Sequence, residues 1–413
     1  MDFEPSDRAK DLSGRVRAFM EEHIYPQELE IEAALDREVN TTTAFPQILI
    51  EIRKQAKAEG LWNLFLPDEE DGPGLSNVDY GIVNEEIGRA TIPAAYAFNC
   101  QPPDSGNMEI LVEHANPAQR ERWLMPLLEG DIRSCFSMTE PETSGNDPTG
   151  LKCRAERDGD DWVINGRKWW TTNALGASVA IVMAVTDPDA APHKRATMLL
   201  VPTDAPGFNM VRPLSNMGHV DGPGHWEIAY EDCRVPVAEA TLNEVGSGFK
   251  VAQDRLGPGR IHHCMRLIGV AERALEMMCE RAQSREMFGT QLSDRQFIQD
   301  FIALSRAEID QAKLLTLNAA WKLDQVGNRE ARRELSVTKL VVPKTVLTIV
   351  DRAIQVFGGA GVSEDTPLSW MYRYNRMLRI GDGGDEVHKQ VIARFELKKA
   401  AARTADQTPV AAG

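Results

Sequence analysis

Five strings in the 413-residue chain carry residue types that can do chemistry. One, Arg379-Ile-Gly-Asp382-Gly-Gly-Asp385-Glu386-Val-His388, gathers three carboxylates and a histidine, although Asp-Gly is first of all a turn signal. A second, Cys135-Phe-Ser-Met-Thr-Glu-Pro-Glu-Thr-Ser-Gly-Asn-Asp147, is dense in hydroxyls and turn formers. It reads as a Pro-centred loop, or as a loop whose hydroxyls and N–H groups bond a polar heterocycle. The third, Ile164-Asn-Gly-Arg-Lys-Trp-Trp-Thr-Thr-Asn173, pairs two tryptophans, which either pack in a core or offer a flat face for stacking. The fourth, Arg285-Glu-Met-Phe288-Gly289 with Arg295-Gln296, reads by itself as a helix break with an exposed arginine. The fifth, Gln355-Val-Phe-Gly358-Gly359-Ala-Gly361, is a helix end or a phosphate cradle, which look alike in sequence.

The elements that must position these strings change texture twice. Residues 1–130 are mostly helical in pattern: Val16, Phe19, Met20 and Ile24 recur at helical spacing, as do Phe45, Ile48, Leu49 and Ile52. Residues 131–245 turn to short apolar runs. Trp162 to Trp170, with Asn165-Gly166 inside it, predicts a hairpin, and Val179–Met183 and Met198–Val201 predict buried strands. Long helices return over 246–402. Ile268, Ala271, Leu275 and Met278 mark one stripe, and Phe297, Phe301, Leu304 and Ala307 a second. A third helix, Leu340 to Val356, stops at Gly358-Gly359. Residues 403–413 predict a loose tail. The order gives an α+β protein with a β domain inserted between an N-terminal and a C-terminal helical lobe.

The formal charge is −16, which argues against nucleic acid or anionic lipid as the main partner. It leaves open a phosphate-bearing small molecule held in a local pocket. Six cysteines, none in a C-x-x-C pair, fit free thiols in a reducing compartment. The N-terminus, MDFEPSDRAK, resembles neither a signal nor a transit peptide, and no apolar run is long enough to span a membrane. A cytoplasmic protein is expected. Adjacent His262 and His263 point to different sides of a helix, so no metal pair is expected; core or interface places are.

Together, in this order and spacing, the five strings resemble the acyl-CoA dehydrogenase family over about residues 5–400. Met138-Thr139-Glu140-Pro141, Asn165-Gly166 with Trp170, Arg285 with Phe288-Gly289, and Gln355 with Gly358-Gly359 carry the resemblance. Trp169-Trp170, Gly257-Pro258-Gly259-Arg260-Ile-His-His-Cys264 and Asp382 to His388 make it closest to the branch of family members ten and eleven. The resemblance implies an N-terminal helical domain, a middle β-barrel or sandwich and a C-terminal four-helix bundle. It also implies FAD and the α,β-dehydrogenation of an acyl-CoA thioester to a trans-2-enoyl-CoA, as in fatty-acid β-oxidation and lipid metabolism. Asp382 would abstract the α-proton, and the flavin would take the β-hydride. Donors on the thioester oxygen, in the family a ribityl hydroxyl and the base residue's own N–H, would stabilise the enolate.

The resemblance further implies that Phe136, Met138, Thr139, Gly145, Asn146, Trp170 and Thr172 line the flavin. Arg285, Phe288, Gln296, Gln355 and Gly359 would meet its phosphates or adenine from a neighbouring subunit. Gly384 and Glu386 complete the cofactor set. Asn146, Arg260 and Gly383 are implied on the substrate side, with Arg260 steering the base loop or the CoA. A homodimer or homotetramer with FAD at the subunit interface follows, with an electron-transferring flavoprotein as acceptor. Arg260, Arg285 and the N–H groups at Gly358-Gly359 would supply local positive potential and converge on one cleft at that interface. The sequence departs from the family in three places. Asp382 stands where the best-known members carry Glu, and Gly384 where a Thr is usual. The loop from Thr139 to Asp147 is one residue longer. An aspartate base also occurs in nitroalkane-oxidising relatives, so a flavin oxidase or monooxygenase is an alternative. A non-catalytic acyl-CoA-binding flavoprotein is another.

Overall fold

The computed structural model describes residues 4–38, 45–220 and 222–406. The N-terminal third is helical. Among its helices are α1 (Asp7–Phe19), α2 (Asn77–Gly88), against which α1 packs, and α3 (Asp104–His114), which packs on β1 and on the first long C-terminal helix. Ser6 caps α1 and Ser76 caps α2, each hydroxyl accepting a backbone N–H in the first turn. Val16, Phe19, Met20 and Ile24 are buried, as their spacing predicts.

The middle third is one sheet of β1 (Ser134–Ser137), β2 (Arg154–Asp158), β3 (Asp161–Thr172), β4 (Val179–Val185), β5 (Ala196–Pro202), β6 (Phe208–Leu214), β7 (His225–Pro236) and β8 (Thr241–Leu242). The order is β6-β7-β3-β1-β4-β5-β8, with β2 bridging β3 and β4. β4 is buried along its whole length because both faces of the sheet are covered. Val179, Ile181 and Met183 face the N-terminal helices, while Ala180, Val182 and Ala184 face the interior of the β domain.

The expected hairpin at Asn165-Gly166 is not there. β3 runs through both residues, and a register shift against β7 falls between Ile164 and Gly166. The glycine serves a close approach instead. Gly166 sits at φ 144°, and a Cβ there would lie 2.6 Å from the Cα of Cys153. The Asn165 side chain exchanges hydrogen bonds with Asp232 across the sheet. The tight turn is Gly159-Asp160, between paired Asp158 and Asp161.

The C-terminal third packs α4 (Gly248–Ser284), α5 (Gln296–Glu330), α6 (Arg332–Phe357), α7 (Leu368–Leu378) and α8 (Asp385–Asp406). A small hairpin, β9 (Glu286–Met287) and β10 (Thr290–Gln291), joins α4 to α5. Ile268, Ala271, Leu275 and Met278 are buried as predicted. Of the stripe on α5, only Phe301 packs against the core, half-buried. Phe297 is 55% and Leu304 44% exposed, and the inward face is Ile298, Ser305, Ile309, Ala312 and Thr316. That face mixes isoleucines with small side chains, while Phe297 and Leu304 are left outside. The last helix reaches Asp406; of the expected tail 403–413, residues 407–413 lie outside the described residues. Among the described residues no helix is long and apolar enough to cross a membrane. The six cysteines are free thiols, five of them buried.

Candidate active site

Asp382 lies in the loop between α7 and α8, in the left-handed region at φ 55°. Asp tolerates this conformation better than most residues. Gly383 follows at φ 100°, and a Cβ on it would meet His388 Nε2 at 3.2 Å, so both conformation and space demand glycine. The loop is pinned from three sides. Arg260 Nε donates to the Asp382 carbonyl (2.9 Å), and Lys339 Nζ donates to the carbonyls of Gly381 (2.9 Å) and Leu378. Arg379 holds Asp385 at the start of α8.

The carboxylate itself faces α4. His263 Nε2 is 3.1 Å from Asp382 Oδ2, and a Cβ built on Gly259 would lie 3.8 Å from the same oxygen. Burial would raise the Asp382 carboxyl, but the hydrogen bond from His263, with Arg255 and Lys339 nearby, holds it well below the usual carboxylate range. His263 is thus not simply a core or interface residue as expected. Only its neighbour His262 is, packed edge-on to Tyr80 with ring centroids 4.8 Å apart. The sequence does carry a signal for His263: Gly259, His263 and Arg266 recur at +4 and +3 on one helical face. Arg255 and Lys339 belong to no motif in the sequence. Lys339 is a buried lysine on an otherwise apolar helix face.

Most residues implied in flavin binding gather on the β domain beside this loop. Phe136 on β1 pairs with Thr172 on β3, and the Arg255 guanidinium lies 4.1 Å over the Phe136 ring. Trp169 N–H donates to the Thr139 carbonyl (2.9 Å). A Cβ on Gly145 would sit 3.1 Å from Thr139 Cγ2. Asn146 Oδ1 accepts from Gly384 N–H at 3.2 Å, which ties the loop after β1 to the base loop. Underneath, Lys168 and Glu140 form a buried pair at 2.9 Å. Lys168 also donates to the Met138 carbonyl, and Glu140 accepts the N–H groups of Lys152 and Cys153. This pair fixes the Met138-Thr139-Glu140 backbone, and spacing alone gives no sign that the two residues meet.

Trp170 adopts φ 52° beside a register shift in β3, an arrangement that turns its ring out of the sheet. The ring is 36% exposed and lies 5.1 Å from His225, whose Nδ1 meets Thr172 Oγ1 at 2.9 Å. Burial pushes His225 down to about 4, so it is neutral at pH 7. Trp169 Nε1 and Thr143 Oγ1 are buried with no partner. An exposed indole face next to the unpartnered Trp169 N–H fits a flat, polar heterocycle.

The remaining predicted residues stand elsewhere. Arg285, Phe288, Gln296, Gln355 and Gly359 are exposed at the far end of the helical bundle. Arg285 follows Arg260 by 25 positions on α4, roughly 37 Å along a helix. Within one chain, Arg260, Arg285 and Gly358-Gly359 therefore do not converge on one cleft. Phe288, at the tip of the β9–β10 hairpin, is 91% exposed and sits at φ 53°. Glu386 is exposed and pairs with Lys389. Glu113, His114 and Asp254 lie close enough together to hold a cation, but Lys250 is already 3.1 Å from Asp254.

This geometry has counterparts among known proteins. The chain matches the acyl-CoA dehydrogenase N-terminal domain over residues 6–131, the middle domain over 135–233 and the C-terminal domain over 246–397. It belongs to the acyl-CoA dehydrogenase family of oxidoreductases. It is 48% identical over 402 residues to acyl-CoA dehydrogenase family member 11 of Gallus gallus, covering 96% of this chain and 51% of that protein. The chain thus spans about half the length of the family member 11 proteins it matches. It is also 48% identical to the probable acyl-CoA dehydrogenase FadE2 of Mycobacterium tuberculosis, over 97% of this chain and 98% of the other. A solved structure of a putative acyl-CoA dehydrogenase from Mycobacterium abscessus superposes with a TM-score of 0.91 at 45% identity. The match covers 96% of this chain and all of the other.

Proposed function

We propose that this protein binds FAD and dehydrogenates an acyl-CoA thioester across Cα–Cβ to the trans-2-enoyl-CoA, with Asp382 as the base. The observation that carries the reading is the junction at Gly384, whose N–H is held by Asn146. It joins the loop that carries the carboxylate to the string that carries the flavin-type residues. FAD, when bound, supplies an acceptor for the β-hydride. The protein's own residues do the rest. Thr139, Trp170, Thr172 and Phe136 hold and orient the ring, with Met138, Gly145, Asn146, Gly384 and Glu386 around it. Asp382 takes the α-proton, and its backbone N–H serves the thioester oxygen. Arg260, Asn146 and Gly383 stand on the substrate side.

In this reading the chain works as three units, 1–130, 131–245 and 246–402, in a homodimer or homotetramer. Arg285, Phe288, Gln296, Gln355 and Gly359 of one subunit reach the FAD of another. The exposure of Phe288, Phe297 and Leu304 supports this, since large apolar side chains so placed mark a contact surface. An electron-transferring flavoprotein is the acceptor, and free buried thiols suit a cytoplasmic setting. Glu109, a buried carboxyl that keeps its proton to about pH 8 and whose Oε2 has no partner, would serve a hydroxylated acyl chain as a hydrogen-bonding partner.

The test is anaerobic bleaching of the bound flavin by acyl-CoAs of graded length and substitution. Fast bleaching by CoA esters is expected. Purified protein without flavin, or with flavin reduced only by small uncomplexed substrates, would overturn the assignment. The second outcome would point to an oxidase of the nitroalkane-oxidising type. Flavin that nothing reduces would indicate an acyl-CoA-binding flavoprotein.

A further inference from the structure

We infer that His263 is a positioning residue for Asp382, a neutral donor whose ring is locked by Arg266. The inference rests on the reading of Asp382 as the base. Arg266 Nη2 lies 3.1 Å from His263 Nδ1, and His263 Nε2 lies 3.1 Å from Asp382 Oδ2. A guanidinium can only donate, so Nδ1 must accept. The single proton of the neutral ring then sits on Nε2, facing the carboxylate. A protonated imidazole would turn an N–H against the arginine, which rules out a simple His–Asp ion pair. Arg266 is 2% exposed and His263 8% exposed, so water does not supply an alternative partner cheaply. Burial and Arg266 both lower the His263 pKa against the opposing pull of Asp382, in keeping with a neutral ring.

The consequence lies in the two carboxylate oxygens. Oδ2 is occupied by the His263 N–H, and Oδ1 is left to receive a proton. The backbone on either side is already fixed by Arg260 and Lys339. The Asp382 side chain is short, with two rotors, and the His263 hydrogen bond restricts both. The dyad therefore aims the base, in the way orienting partners aim catalytic groups elsewhere.

The experiment uses the flavin-loaded protein and an acyl-CoA that reduces the wild type. In anaerobic stopped flow, His263→Ala is expected to slow flavin reduction by about 10- to 100-fold while acyl-CoA affinity changes by less than about 3-fold. His263→Gln keeps an amide N–H for Asp382 and an oxygen for Arg266, and should recover to within about 5-fold of wild type. Without substrate, 15N spectra of histidine-labelled protein should show His263 as the Nε2–H tautomer, and Arg266→Met should release that preference. The inference is overturned if His263→Ala reduces at the wild-type rate. It is also overturned if Gln is as slow as Ala in folded, flavin-bound protein, or if His263 is doubly protonated or carries its proton on Nδ1. The spectra of wild-type protein decide the matter even where a variant fails to fold. Asp382→Asn separates the two readings. Wild-type rates in Asp382→Asn sink the base itself, whereas a slow Asp382→Asn with a fast His263→Ala sinks only the dyad.

Discussion

The two ends of the helical bundle are built on opposite principles. Around Asp382 the backbone and the carboxylate are held by partners within the chain. Arg260, Lys339, His263 and Asn146 converge from three elements on one short loop. Around Phe288 and Gln355 nothing is enclosed, and an aromatic ring stands 91% exposed on a hairpin tip. Strain is present at both ends. Among the described residues the bulky side chains at positive φ are Trp170, Met217 and Phe288, and two of these belong to the proposed cofactor set. Such conformations cost on the order of 1–3 kcal/mol and persist where surrounding structure over-determines them. The lesson is that one end is complete in a single chain and the other is an offered surface.

Four outcomes would break or sharpen that contrast. The largest is at the enclosed end. Asp382→Asn should lower the rate of flavin reduction by about 10²–10⁴-fold, measured by anaerobic stopped flow, while flavin is retained. Next, Lys168→Met leaves Glu140 buried without its counter-charge. Denaturant unfolding should show a loss of about 3–5 kcal/mol, with the Thr139 loop loosened. Smaller in scale is Phe288→Ala at the open end. Its side chain touches little in the chain, so unfolding of the isolated subunit should move by less than about 0.5 kcal/mol. Flavin retention and subunit association, read by gel filtration with absorbance, should both fall; equal retention would place the flavin's far end elsewhere.

The smallest effect is a pH slope. Burial raises Glu109 from 4.5 to about 8, against the pull of Arg255 and Arg266. The folded state keeps a proton that the unfolded state gives up above its own pKa. Stability should therefore fall as pH rises from about 4.5 to about 8 and then level off. Thermal melts of Glu109→Gln should show a flatter profile over that window.

Much of the fold is legible in the order of the amino acids. The continuous apolar run of β4, buried along its whole length, and the stripe of Ile268, Ala271, Leu275 and Met278 follow from local pattern alone. The helix ending at Gly358 and the string around Asp382 are local features too. Asn165-Gly166 misleads because a glycine needed for close approach has the same signature as one needed for a turn. The α5 stripe misleads in another way. Periodicity shows that Phe297, Leu304 and Ala307 share a face, but it does not show which face the neighbours cover.

What the sequence determined is therefore the set of parts: family-type strings, strand and helix periods, and the carboxylate in its glycine-rich loop. Each depends on residues close together in the chain. What only the tertiary structure decided is which parts meet. His263 reaches Asp382 across 119 positions (382 − 263), and Asn146 reaches Gly384 across 238. Arg285 is carried away from both by the rise of a long helix. Those relations depend on packing between distant segments, and composition, spacing and local propensity carry no record of them.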